Sequence, residues 1–217
     1  MKRLEPREMP VKKLKTLSKT RKSEGVREAI IRAATEMINA KSYALATLTG
    51  IAATLDMRDA ALYHYFPNKQ ALAYACHHSS LGRFERLLTE SDQTGRTGEQ
   101  KLRHLIRHML IESAQNGPQL YFGDYSYLEA AQRTAISSWA DRLVAVLVRF
   151  LKEGVSDGSI VQCEPELVVH LLLGMLIWMG KWVPTVEGIT VDRLMSAIDA
   201  FVFRGLDRAH AVSLKTQ

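Results

Sequence analysis

Apolar residues recur along most of this chain at steps of three and four, the period of a helix with one buried face, and no alternation of strands with helices is seen. Ala29, Ile30, Ala33, Ala34, Met37 and Ile38 predict a first helix over 25–40, with Arg32, Glu36 and Asn39 facing away. Ser42-Tyr43-Ala44 opens a loop from which Leu45 is expected to pack inward. Two short helices follow. Ile51, Ala52 and Leu55 share one face of the first; Leu62 and Phe66, four apart, share a face of the second, and Met57 lies in the turn between them. Thr47 is placed to cap the first of the pair, its hydroxyl accepting from a free backbone N–H. Asn68 caps a long helix from Lys69 to about Leu88, buried along Ala71, Leu72, Ala75, Leu81, Phe84 and Leu88. The run SDQTGRTG over 91–98 reads as a linker. Leu102, Leu105, Ile106, Met109 and Leu110 then mark a helix stopped by Asn116-Gly117-Pro118. Leu143, Val146, Leu147, Phe150 and Leu151 mark another over 138–153, ended by Gly154 and Gly158.

The segment 166–183 is apolar almost all round, which predicts burial on several sides. Its run from Leu167 to Gly180 has His170 as the one polar side chain, and at 1.5 Å per residue it spans about 21 Å, short of the roughly 20 residues a bilayer needs. No membrane partner is expected. Gly174 and Gly180 permit close helix approach, Pro184 ends the helix, and Thr190 starts a last one to about Arg208. The pattern predicts an all-α chain.

The stretch TLTGIAATLDMRDAALYHYFPNK, residues 47–69, carries the most chemistry. Its apolar frame occupies one side, and Tyr63, His64 and Tyr65 cannot all face it. Some of their hydroxyls and ring nitrogens must point outward, with Lys69 close behind. Two short helices in this arrangement form a helix-turn-helix whose second helix enters a DNA major groove.

Charge changes where the affinity should reside. The net charge is +6, yet residues 1–27 carry ten Lys or Arg against three Glu, and segment 28–69 balances four acids with four bases. Residues 1–24 read as a flexible basic arm that follows phosphates or a minor groove, or else as a solvated tail. The division is thus arm 1–24, DNA-binding domain 25–70 and helical body 71–217. Hydrophobic residues at 47% and charged residues at 24% are ordinary globular values. Two cysteines, Cys76 and Cys163, form no disulfide framework, and the charged start lacks a secretory pattern, so a cytoplasmic location is expected.

His104 and His108 stand at i, i+4, a spacing that lets two imidazoles share a metal. Arg103 and Arg107 flank them with no obvious carboxylate or cysteine, so a solvated polar face is expected and no metal or cofactor is assigned. Tyr121, Phe122, Tyr125 and Tyr127, with Trp139 following, either pack between helices or line an apolar cavity with phenol hydroxyls. Phosphate loops, nucleophile elbows and metal motifs are absent from the sequence, so no enzymatic activity is expected.

From Ala46 to Leu72, with its ALYHYFPNKQAL ending, the chain closely resembles the DNA-binding motif of tetracycline-repressor (TetR) type bacterial transcription regulators, and the likeness extends loosely over 25–208. The resemblance implies a three-helix helix-turn-helix domain followed by a helical ligand-binding and dimerisation domain. It implies a homodimer, pairing through helices 166–183 and 190–208, that represses from a near-palindromic double-stranded operator. Phosphate contacts fall by resemblance to Thr47, Tyr63, Tyr65 and Lys69, and base or groove contacts to Thr49, Arg58, Asp59, Ala60, Ala61 and His64. The C-terminal half is also similar to members that respond to acyl-CoA thioesters, implying a small hydrophobic effector. Met109, Tyr121, Phe122, Tyr125, Trp139, Leu143, Met175 and Trp178 are its candidate contacts. The turn departs from the family, which usually has Gly where Asp56 stands and Ser where Arg58 stands. Asp tolerates the left-handed backbone such a position commonly needs, and Asp56 or Asp59 could replace the lost capping hydroxyl. Asp59 could accept from a cytosine amino group, Arg58 could read guanine, and Ala60 and Ala61 could touch a thymine methyl. The alternative is a helical adaptor whose basic arm holds nucleic acid or anionic surfaces without selectivity.

Overall fold

The structure, a computed structural model, describes the backbone of residues 11–120 and 125–205, and side chains from Ser23 onward. Its described residues are helical with no strand: α1 Val11–Lys41, α2 Leu48–Thr54, α3 Asp59–Tyr65, α4 Lys69–Thr94, α5 Gly98–Asn116, α6 Ala130–Asp157, α7 Pro165–Trp182 and α8 Val191–Ile198. A 3₁₀ turn, Val183–Thr185, follows α7, and a π-helical turn, Asp199–Phe203, continues α8.

Several helix starts are fixed by short side chains that accept from the free N–H groups of the first turn. Thr47 accepts from Gly50 at 3.0 Å and Asn68 from Ala71 at 2.7 Å, as the sequence predicted. Thr97 and Thr190 do the same for α5 and α8. Each such cap contributes about 1 kcal/mol.

The apolar stripes divide into two cores that share one helix. Ile30, Ile31, Ala34 and Ile38 of α1, Ile51 and Ala52 of α2, and Leu62 of α3 pack with Phe66 and with Leu72, Ala73 and Cys76 of α4. The later half of α4, through Leu81, Phe84, Leu87 and Leu88, packs instead with α5, α6, α7 and α8. At 1.5 Å per residue this 26-residue helix is about 39 Å long, a stiff rod between head and body. The body is closely packed where α5 meets α6: a Cβ on Gly98 would lie 2.2 Å from the Gly154 nitrogen and the Phe150 carbonyl. Only glycine fits there.

Several expected boundaries are corrected. The arm assigned to 1–24 is helical from Val11, because no proline or glycine interrupts 11–24 and its Lys, Arg and Leu residues are good helix formers. Residues 1–10 lie outside the described residues. The linker assigned to 91–98 is helical to Thr94, since Asp92 is bonded by Arg149 at 2.6 Å and by Lys101 at 2.8 Å. Helix α6 begins at Ala130, where Glu129 and Gln132 form a reciprocal capping box, rather than near Ser138. The last helix ends at Phe203 among the described residues. Leu45 is exposed, and Ala46 fills the inward position instead.

Helix α7 is also corrected. Within this chain it is buried on one side only, through Val169, Leu172, Leu173, Leu176 and Met179, while Leu167, Leu171 and Trp178 are 59%, 75% and 62% exposed. With its 3₁₀ turn it spans 21 residues, enough by length and composition to cross a membrane. Length therefore does not separate α7 from a membrane helix. Its inner face is part of the body core.

Candidate nucleic-acid interface

The turn between α2 and α3 closes with Asp56 at φ 51°, the left-handed conformation expected for that position. The Met57 N–H donates to the Ala52 carbonyl at 2.9 Å and ties the turn to α2. Arg58 occupies the cap of α3 in extended backbone without a side-chain cap bond, so neither aspartate replaces the capping hydroxyl. Asp59 is already the first helical residue, one place too late to cap. It accepts instead from the Thr49 hydroxyl at 2.7 Å. Its charge still suits the N-terminus of α3, where free N–H groups leave partial positive charge.

Leu62 anchors α3 inward, and the helical period turns the opposite face out. Thr49, Arg58, Asp59, Ala60, Ala61 and His64 are all exposed, as are Thr47 and Tyr63. The structure therefore gathers the expected base-reading set on one outward surface formed by α3, its turn and the start of α2. Two of the expected phosphate contacts are less free. Tyr65 is half-buried against the head core with His64 edge-on to it, ring centroids 5.5 Å apart. The Lys69 ammonium donates to the Ala44 carbonyl at 3.2 Å and sits 4.3 Å from the centre of the Tyr43 ring.

Tyr43 in turn joins the head to the body. Its ring stacks on Tyr127 with centroids 3.6 Å apart and planes 8° from parallel. The Tyr127 hydroxyl lies 2.7 Å from His77 Nε2, and its carbonyl accepts from the Gln70 amide at 2.7 Å. His77 is fully buried on α4, and burial pushes its pKa down to about 4, so it is neutral near pH 7. A second link runs through the segment after α5. Asn39 of α1 donates to the Gln119 carbonyl at 3.2 Å, and the Leu120 N–H donates to the Ser80 hydroxyl at 2.7 Å. The Leu120 side chain belongs to the head core.

The body holds a cavity of about 180 Å³ between α5, α7 and the start of α8. Of the effector contacts expected from sequence, Met109 lines it. The others are not brought together there. Leu143 is spent in the body core, Tyr125 packs edge-on to His77, and Trp139 packs edge-on to His78. Met175 is half-buried against the core, Trp178 faces outward, and Tyr121 and Phe122 lie outside the described residues. The described rings pack between helices, the other reading the sequence offered, because large rings reward core burial wherever they fall. The cavity is lined instead by aliphatic residues with Ser113, Gln119 and Thr190.

The histidine pair on α5 is half-buried rather than solvated. Thr94 bonds His104 at 3.0 Å, and His108 Nδ1 is buried without a hydrogen-bond partner among the described residues. Carboxylates do reach the flanking arginines, with Glu99 and Asp199 on Arg103 and Asp192 on Arg107. No cluster of three metal-ligating side chains occurs among the described residues.

Comparison with known proteins gives two family matches. Residues 30–76 match the bacterial regulatory proteins of the tetR family, and residues 95–206 match the tetracyclin repressor-like C-terminal domain. No curated protein matches the chain. Among solved structures, the TetR family transcriptional regulator PfmR from Thermus thermophilus is 21% identical with a TM-score of 0.65, covering 82% of this chain and 99% of that one. AibR in complex with isovaleryl coenzyme A and operator DNA is 22% identical with a TM-score of 0.64, covering 82% and 97%. The ketosteroid transcriptional regulator KstR2 of Mycobacterium tuberculosis is 15% identical with a TM-score of 0.64, covering 82% and 92%.

Proposed function

Since this chain belongs to the tetR family of bacterial regulatory proteins, we propose that it acts as a homodimeric repressor: it holds a near-palindromic operator and releases it when a small apolar effector enters the body. The observation that carries the reading is the outward face of α3, where Arg58, Asp59, Ala60 and His64 stand free of the core beside the exposed hydroxyls of Thr47 and Tyr63. Two such faces, about 34 Å apart, reach successive major grooves from one side of the duplex.

The exposed stripe of α7 supports the dimer. Leu167, Leu171, Gly174 and Trp178 are spaced i, i+4, i+7 and i+11, so they form one line, with Phe201 also exposed on the turn after α8. Gly174 has open space where a Cβ would stand, which lets a facing helix approach closely. A two-fold pairing of this stripe with its copy covers the apolar surface and sets the symmetry of the operator. Effector control has its counterpart in AibR, whose structure contains both isovaleryl coenzyme A and operator DNA. Here the rod of α4 carries any shift of the body to the head. The protein works in the cytoplasm, with no reaction assigned to it.

The experiment is fluorescence anisotropy and footprinting on the DNA upstream of its own gene, against scrambled DNA of equal length. A protected near-palindrome, bound at least about tenfold more tightly than the scramble, is expected. Equal affinity for both, lost steeply with salt, would instead identify a non-selective helical adaptor.

A further inference from the structure

We propose that the cavity between α5, α7 and α8 takes a neutral molecule of about one ring carrying an amide-like group, which the Gln119 side chain reads by hydrogen bonds in both directions. The inference rests on the reading that an apolar effector enters the body, and it specifies that effector's chemistry.

Three observations converge. Gln119 lines the cavity and is 3% exposed, yet neither its Nε2 nor its Oε1 has a hydrogen-bond partner among the described residues. A buried amide without partners is destabilising, and nearly all buried polar groups in folded proteins avoid it. Both amide atoms are closed off while the cavity is empty, and the Gln119 side chain turns about its own bonds to meet a molecule that completes them. The amide offers donors and an acceptor side by side, so its complement is a group that accepts and donates in the same way: a carboxamide, a lactam or an uncharged carboxylic acid.

The cavity wall supplies the second constraint. Met109, Leu110, Leu176 and Leu194 make it apolar, and none of the described residues lining it is charged. An ionised carboxylate or a phosphate there would have no countercharge, which excludes an anionic polar end. The volume supplies the third. A 150 Å³ apolar cavity accommodates benzene, so about 180 Å³ accommodates one ring and a small polar group. A coenzyme A nucleotide is far larger and highly charged, so the site as formed does not hold one.

The test uses benzamide, benzoate and toluene with the full chain, read by calorimetry and thermal shift. Benzamide should bind, and benzoate at pH 7 should bind more weakly. From wild type to Gln119→Leu, the ratio of the toluene Kd to the benzamide Kd should fall at least about tenfold, the worth of a pair of ordinary hydrogen bonds. Gln119→Met, which keeps the side-chain length, repeats the comparison. Both ligand-free variants should melt higher than wild type, since an unpartnered amide is removed. No binding of benzamide, tighter binding of benzoate, or an unchanged ratio in both variants would each overturn the proposal. If benzamide binds through Gln119 but leaves affinity for the upstream DNA unchanged, the Gln119 site stands and the effector reading behind it falls.

Discussion

Thr49 and Asp59 are joined side chain to side chain across the turn of the reading head, the threonine hydroxyl donating to Asp59 Oδ2 at 2.7 Å. The bond holds the start of α3 against α2 and takes up one oxygen of a carboxylate that would otherwise stand free near the phosphates. It also means that a substitution at either residue disturbs the other. Asp59→Ala should therefore change selectivity and general affinity together. Preference for cytosine at one operator position should fall by about 1–3 kcal/mol, while affinity for all sequences rises as a negative charge is removed. Base-by-base operator substitution measures both. A variant with unaltered preference at every position would exclude base reading by Asp59.

Lys69 calls for a substitution that separates charge from chain length, because its ammonium both sits over the Tyr43 ring and reaches the Ala44 carbonyl. Lys69→Met keeps the stem and removes the charge. Binding should weaken by a similar factor on operator and scrambled DNA, and the salt slope should drop by about 1. Tyr63→Phe should weaken both DNAs equally without changing the slope. A shift mainly in base preference would reassign either residue to the groove floor.

The charge distribution makes the leading segment separable from the head. Seven of the ten basic residues within 1–27 lie in 1–20, whereas 28–69 is neutral overall. Removing residues 1–20 should lower affinity for operator and scramble alike and reduce the salt slope by about 0.9 for each phosphate that the segment neutralises. An unchanged slope would mean that the segment does not touch DNA.

Coupling between cavity and head should pass through Asn39, whose side chain bonds the carbonyl of the same Gln119 that lines the cavity. Asn39→Ala should leave benzamide affinity near the wild-type value but reduce the ligand's effect on DNA affinity, within the usual coupling range of about 1–3 kcal/mol. Anisotropy titrations with and without benzamide read the difference directly. Full coupling in the variant would place the route elsewhere, for instance along the Tyr43 and Tyr127 stack.

How much of this was legible in the sequence depends on the range of the interaction concerned. Thr47 and Asn68 could be placed as caps because a cap is settled within four residues, and the inward face of α3 followed from the four-residue spacing of Leu62 and Phe66. Asp56 could be placed in a left-handed turn because the family it resembles usually has Gly there. The end of α4 was misjudged because partners distant in sequence extend it, Arg149 and Lys101 on Asp92, whereas the start of α6 was missed although its cap, Glu129 with Gln132, is local. The cavity was not legible at all. Ring-rich segments signal burial but not where the packing leaves a gap, and Gln119 became conspicuous only once its amide was seen to lack a partner. The half-exposed nature of α7 escaped because uniform apolarity does not say which side faces the core of this chain.

The last prediction concerns acid. His77 is buried on α4 beside Tyr127, with a pKa pushed down to about 4 by burial, whereas in the unfolded chain it takes the ordinary value near 6.5. Between those values the unfolded state binds more protons, so stability is fully present above about pH 6.5, declines as the pH falls toward 4, and declines no further from this group below that. The shift caps the loss at about 3 kcal/mol, by the usual 1.36 kcal/mol per unit. Asp92, held down by its hydrogen bond from Arg149, and Glu153, held down by that from Lys101, lose their contribution only below about pH 4. Urea unfolding at pH 7, 6 and 5, at one protein concentration because a dimer's stability depends on it, should show wild type losing stability over that interval. His77→Gln, which can still bond the Tyr127 hydroxyl but does not titrate, should lose markedly less. Parallel losses in the two proteins would assign the acid sensitivity to other groups.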